Sequence, residues 1–155
     1  MALTPADKLD ITEQIHRHQR YIDNDASPAS ARKYADLYWP DATFHTLYTN
    51  PVGLYQGTDS IRQLYDYAHS AFPIDQQKHL VSTMVLEGDG NEATVEWYWI
   101  VMWRKAFTGL VSSGTYVDRF QKRDGVWKCL ERKHAVDDNW PRPYFDDLMA
   151  RAAAR

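Results

Sequence analysis

Two residue types in this 155-residue chain could carry proton chemistry together: a histidine that opens an aromatic hairpin, and an acid at the end of the first helix. His79 stands at the start of a strand-like run, in QQKHLVSTMVLEGDGNEATVEWYWIVMWR. Asp23 and Asp25 close the first helical pattern. A histidine near neutral pKa is a natural proton carrier, and a carboxylate beside it can fix its tautomer and stabilise its charged form. On helical angle Asp25 lies nearer the apolar stripe than Asp23. By composition alone, either aspartate also reads as a solvated helix end, and His79 as a satisfied buried histidine. The other histidines are His16, His18, His45, His69 and His134. His16 and His18 lack the spacing that puts metal ligands on one helical face. There is no phosphate-binding glycine loop, no GxSxG elbow and no HExxH motif. The chain is expected to use neither metal nor cofactor.

The elements that must position these groups follow from periodicity. Thr4-Pro5-Ala6-Asp7 suits a helix start, and Ile11, Ile15, His18 and Ile22 fall on one face of the helix that follows. A second helix is expected over Ser30–Trp39, ending before Pro40, and a short strand over Thr43–Thr49. Asn50-Pro51-Val52-Gly53 reads as a loop, and Tyr55-Gln56-Gly57 leads to a third helix, with Thr58 as its cap and Ile61, Leu64, Tyr65, Ala68 and Phe72 as its stripe. Strands are expected over Lys78–Glu87, Glu92–Lys105, Leu110–Gln121 and Val126–Val136, with tight turns at Gly88–Asn91 and Lys122–Gly125. Asp118 and Arg119 read as an ion pair at a strand edge. Helices first and antiparallel strands after make an α+β fold, one domain over residues 1–155. The tail, 137–155, is expected to cover the pocket or a neighbouring subunit.

In the strand from Glu92, Val95, Trp97, Trp99, Val101 and Trp103 share one face, while Tyr98, Ile100 and Met102 share the other. A sheet exposed on one side alternates apolar with polar, and this strand does not. The second face is therefore expected to meet another subunit, giving a homodimer or homotrimer through the sheet.

Aromatic residues make up 14% of the chain, which suits a cavity for an apolar ligand. A net charge of −3 argues against a nucleic-acid partner. One cysteine, Cys129, excludes an internal disulfide. The opening MALTPADKLD has neither the basic flank nor the apolar core of a signal peptide, and no run is long enough to span a bilayer. A cytoplasmic protein with no membrane partner is expected.

Four runs, taken in order, resemble a known family: IHRHQRYID from Ile15, LYWPDATFH from Leu37, KHLVSTMVLEGDGNEATV from Lys78, and GTYVDRFQKRDGVWKCLERKHAVDDNW from Gly114. They are similar to SnoaL-like proteins of the scytalone dehydratase group, whose relatives include bile-acid dehydratase and hexachlorocyclohexane dehydrochlorinase. The resemblance implies the cone fold of the nuclear transport factor superfamily: N-terminal helices on a strongly curved, mostly antiparallel sheet that forms a cone-shaped pocket. It further implies His79 as the base and Asp23 as its partner, with Asp25 as runner-up because SPAS lengthens the following loop. His18 stands where the family has an aromatic residue, and Arg132 where an arginine helps bind substrate or leaving group. A second proton carrier, present in some dehydratases, falls near Met102, Trp103 or Arg104, and neither Met102 nor Trp103 can relay a proton. Phe44, Tyr48, Tyr55, Trp99 and His134 are expected to contact a small apolar cyclic or aromatic substrate. The expected activity is a cofactor-free elimination (dehydration, dehydrohalogenation or small-fragment cleavage). The alternatives are isomerisation through an enol and a non-catalytic ligand-binding domain.

Overall fold

A computed structural model describes residues 2–23, 25–46, 53–72, 74–104 and 110–137. Helix α1 spans Pro5–Ile22, α2 Pro28–Ala35 and α3 Thr58–Ala71. Strands β1 (Tyr38–Thr46), β2 (Gly53–Gln56), β3 (Gln77–Asp89), β4 (Glu92–Trp103), β5 (Leu110–Arg123) and β6 (Val126–Val136) form one six-stranded sheet in the order β2-β1-β6-β5-β4-β3. All neighbours are antiparallel except β1 and β6. The helices pack on one face of this open sheet, so the fold is α+β, as expected.

Local chemistry explains the elements. Thr4 and Asp7 form a reciprocal capping box at the start of α1, and Ile11, Ile15, His18 and Ile22 are buried along its stripe. Ser27 caps α2 with Pro28 behind it. This helix stops at Ala35, earlier than expected, because Tyr38 already pairs with Cys129 in the sheet. Pro40 sits inside β1, where the ladder to β6 shifts register between Tyr38 and Thr43, so its missing N–H breaks no regular pairing. Residues 53–56, where no strand is expected, pair with β1 from Gln56 to Gly53. The third helix is capped by Gly57 at φ 80°, one residue before the expected Thr58.

In β4, Val95, Trp97, Trp99 and Val101 are buried against the helices. Tyr98 and Met102 lie on the opposite face, 47% and 38% exposed. The expected tail, 137–155, lies outside the described residues beyond residue 137. No helix among the described residues is long and apolar enough to cross a membrane.

Candidate active site

Asp23 is the first residue past α1, its backbone N–H closing the helix onto Gln19 and Tyr21 carbonyls. A carboxylate there faces the negative end of the helix dipole, a placement that helix stability alone disfavours. What it gains is β3. Strand β3 is an edge of the sheet, and its His79 N–H donates to both Asp23 carboxylate oxygens, at 3.2 and 3.1 Å. The His79 ring completes the link, with Nδ1 2.7 Å from Asp23 Oδ1. The carboxylate side chain is 5% exposed and the imidazole 14%. A carboxylate only accepts, so the neutral ring that makes this bond carries its hydrogen on Nδ1 and leaves Nε2 without one.

Arg104 fastens the same junction from β4's end. Its Nη2 donates to the Asp23 carbonyl at 3.0 Å and its Nε donates to the Gln77 carbonyl. Its guanidinium also lies 4.0 Å from the Asp23 carboxylate, a partial counter-charge. Thus the position expected to hold a second proton carrier holds an arginine that ties α1 to the strand bearing His79. Tyr65 on α3 adds a third tie, its hydroxyl donating to the carbonyls of Tyr21 and Asp25.

Asp25 does not reach His79. Its carboxylate accepts from the Ser27 N–H at 3.2 Å and the Ser30 hydroxyl at 2.8 Å, which lowers its pKa and uses it in the turn into α2.

His79 lines a cavity between the helices and the sheet. His18, Phe44, Trp99 and His134, all expected near substrate, line it. Trp99 lies across Gly114, where a Cβ would come within 2.7 Å of the indole and 2.0 Å of the Ala135 carbonyl. Only glycine lets that ring lie flat there. Tyr116 stacks on His134 at 4.5 Å and on Trp97 at 4.4 Å, forming a layered aromatic wall. His18 Nε2 meets the Tyr34 hydroxyl at 2.7 Å. Burial, then the charge of Arg132, holds His18 well below its usual pKa and pushes His134 down to about 3. Both are neutral imidazoles at pH 7. Tyr55 is half-buried beside Phe44 in the ladder but does not line the cavity, and Tyr48 lies outside the described residues. His45 lies on the face of β1 opposite Phe44 and Thr46. No group of three or more metal-ligating side chains occurs among the described residues.

Arg132 requires correction. It is 1% exposed and lies under the aromatic wall, away from the cavity lining. Its Nε and Nη2 donate to Asp118 at 2.6 Å each, and its Nη1 donates to the Tyr38 hydroxyl at 2.9 Å. Asp118 also accepts from the Trp97 indole at 2.8 Å. The pair is a buried structural core, and Arg132 is not among the residues that line the cavity. Asp118, expected at a strand edge with Arg119, is fully buried, while Arg119 lies 3.8 Å from Glu131 at the surface.

Sequence reasoning missed Gln19, Gln77 and Tyr116, all of which line the cavity. Gln77 is two residues before His79 on the same strand face, and Gln19 is one helical turn before Asp23. Either spacing could have flagged them.

The fold and site together define an α+β protein with an open sheet, an apolar cavity and a His–Asp pair at its rim. Residues 4–133 match the SnoaL-like domain family, and the chain belongs to it. A comparison with curated proteins gives no match. Among solved structures, a cystatin-like-fold protein of unknown function from Nostoc punctiforme PCC 73102 is 25% identical with a TM-score of 0.78, covering 92% of this chain and 99% of its own. A protein assigned as a scytalone dehydratase from Novosphingobium aromaticivorans DSM 12444 is 18% identical (TM-score 0.67, 85% of each chain). A hexachlorocyclohexane dehydrochlorinase from Novosphingobium barchaimii LL02 is 16% identical (TM-score 0.68, 85% of this chain and 87% of its own). At 16–18% identity these last two establish the shared fold, which is the one the sequence resemblance implies.

Proposed function

We propose that this protein is a lyase that eliminates a small group from an apolar cyclic or aromatic compound without a cofactor. The observation that carries the reading is the double engagement of Asp23 with His79, at ring and backbone, beside an apolar cavity. Asp23 holds the ring with Nε2 bare, Nε2 takes a proton from substrate, and the carboxylate stabilises the imidazolium that forms. Such a positioned base supplies roughly 100- to 10,000-fold of rate, and the apolar walls strengthen its charges. The family membership and the dehydratase and dehydrochlorinase neighbours support an activity of lyase or isomerase type. Isomerisation through an enol is the second reading. It is favoured by one observation: Arg132, the expected aid to the leaving group, is spent on Asp118. Incubating the protein with hydroxylated bicyclic ketones and halogenated cyclohexanes, with mass spectrometry for loss of water or hydrogen halide, tests this. The reading predicts product from wild type and none from His79→Ala. Turnover that survives His79→Ala in a folded protein would exclude His79 as the base.

We also propose that the outer sheet face, with Leu80, Tyr98, Met102 and Val117 exposed, meets a second copy of the chain.

A further inference from the structure

Arg132 stands outside the cavity lining, yet it heads a line of hydrogen bonds that runs from the sheet core to the cavity wall. Its Nε and Nη2 are taken by Asp118, and its Nη1 donates to the Tyr38 hydroxyl at 2.9 Å. Tyr38 is hydrogen-bonded in turn to Tyr34, with the ring centres 5.9 Å apart. The Tyr34 hydroxyl meets His18 Nε2 at 2.7 Å, and the Gln19 side chain is hydrogen-bonded to His18. Because Tyr34 occupies Nε2, that last bond falls to Nδ1. All five residues are buried. Tyr34, His18 and Gln19 line the cavity, while Arg132 and Tyr38 lie behind them.

We infer that Arg132 is a positioning residue for the cavity: through the hydroxyls of Tyr38 and Tyr34 it fixes His18 as the tautomer with its hydrogen on Nδ1. A guanidinium only donates, so the Tyr38 oxygen accepts and its O–H is left to donate to Tyr34. Tyr34 then accepts on one side and donates on the other, to His18 Nε2. Run in the opposite sense, Tyr38 would accept from both neighbours. Its own hydrogen would then be buried unused, since Tyr38 has no third hydrogen-bonding neighbour among the described residues. A buried hydroxyl left in that state is costly. Charge points the same way: both O–H dipoles are directed away from the guanidinium, and in a dry interior each bond polarises the next. His18 is neutral, held so by burial and then by Arg132, and therefore has a single N–H to place. With Nε2 accepting, the hydrogen goes to Nδ1, where the amide oxygen of Gln19 is the acceptor it calls for. An imidazole free to change tautomer donates or accepts as the ligand asks. A directed one does not, and the α1 wall keeps one polarity. The inference deepens the proposed function: it rests on this cavity being the substrate site, but not on His79 being the base.

Two-bond ¹H–¹⁵N correlation of the imidazole nitrogens of the full chain at neutral pH tests it, with the His18 signal identified by its loss in His18→Asn. Wild type is expected to show His18 as a single Nδ1–H tautomer. Tyr38→Phe removes one atom of the line and keeps the Arg132–Asp118 pair; it is expected to introduce the Nε2–H form, because Tyr34 can then accept from His18. Arg132→Met with Asp118→Leu removes the directing charge and keeps both tyrosines, and the same mixture is expected. A merely structural role for the buried pair would leave the tautomer as it is. A wild-type His18 with its hydrogen on Nε2 overturns the direction of the line. An Nδ1–H tautomer undiminished in either folded variant overturns the role of Arg132. Absence of turnover in a protein whose His18 responds as expected would remove the lyase reading and keep the line, so the two failures read differently.

Discussion

Replacing Asp118 by alanine should be among the most damaging single changes in this chain, although it touches no cavity atom. Both members of the pair are essentially inaccessible, Arg132 at 1% and Asp118 at 0%. The substitution removes two charge-assisted hydrogen bonds of 2.6 Å, strands a guanidinium among Tyr38, Trp97 and Tyr116, and orphans the Trp97 indole N–H. Breaking a buried pair from one side costs about 3–5 kcal/mol, because the remaining charge has no compensation. For a domain of this size that corresponds to a fall in melting temperature of roughly 6–20 °C. Urea denaturation followed by tryptophan fluorescence measures it directly, since Trp97, Trp99 and Trp127 are buried in the core. Pairing Asp118→Leu with Arg132→Met should recover part of the loss, as the desolvation cost vanishes with the charges. A loss below about 1 kcal/mol for Asp118→Ala, the scale of an exposed pair, would refute the buried-pair reasoning.

Stability should also fall as pH drops below 6.5. Folded His134 takes its proton only near pH 3, whereas unfolded it does so near 6.5, so the unfolded state binds more protons in between. The loss by pH 5 is about 2 kcal/mol for His134, with His18 adding in the same direction, and His134→Phe should flatten the urea-midpoint profile between pH 7 and 5. Asp7, held below its ordinary value of 3.8 chiefly by Lys122 and Thr4, works in the opposite range: its contribution is present above that value and is lost only as pH falls further. A flat profile between pH 7 and 5 would contradict neutral burial of both imidazoles. Asp25→Ala should weaken the turn into α2 yet leave turnover unchanged; a loss as large as that of Asp23→Asn would restore Asp25 to the site. Light scattering on Tyr98→Asp with Met102→Asp should show a smaller species than wild type, and an unchanged mass would remove the outer sheet face from the interface.

Much of the architecture was legible because its signals are periodic. The capping box at Thr4, the isoleucine stripe of α1 and the period-two aromatics of β4 each follow from one element's own spacing. The irregular edge was not legible in the same way. Pro40 within a strand is tolerated only because the parallel ladder to β6 slips there, a tertiary fact. Strand β2 is four residues long and carries little pattern of its own. In the site, His79 and Asp23 could be nominated from residue type and family register, but their meeting depends on an edge N–H of β3 that only the folded sheet presents. Arg132 was misplaced because a register match cannot tell a cation facing substrate from one facing a buried acid. The clue was present in β5: Tyr116, Asp118 and Phe120 alternate with exposed Val117 and Arg119, which puts Asp118 on the inward face. Gln19 and Gln77 escaped because a lone glutamine gains meaning only from what the fold sets beside it.

The proposed chemistry turns on Asp23 holding His79 with Nδ1 protonated and Nε2 bare. Two-bond ¹H–¹⁵N correlation of the imidazole nitrogens at neutral pH reads that tautomer directly, in wild type and in Asp23→Asn. The predicted result is an Nδ1–H ring in wild type and loss of that single tautomer in the variant. A wild-type His79 protonated on Nε2, or a tautomer unchanged by Asp23→Asn, would contradict it.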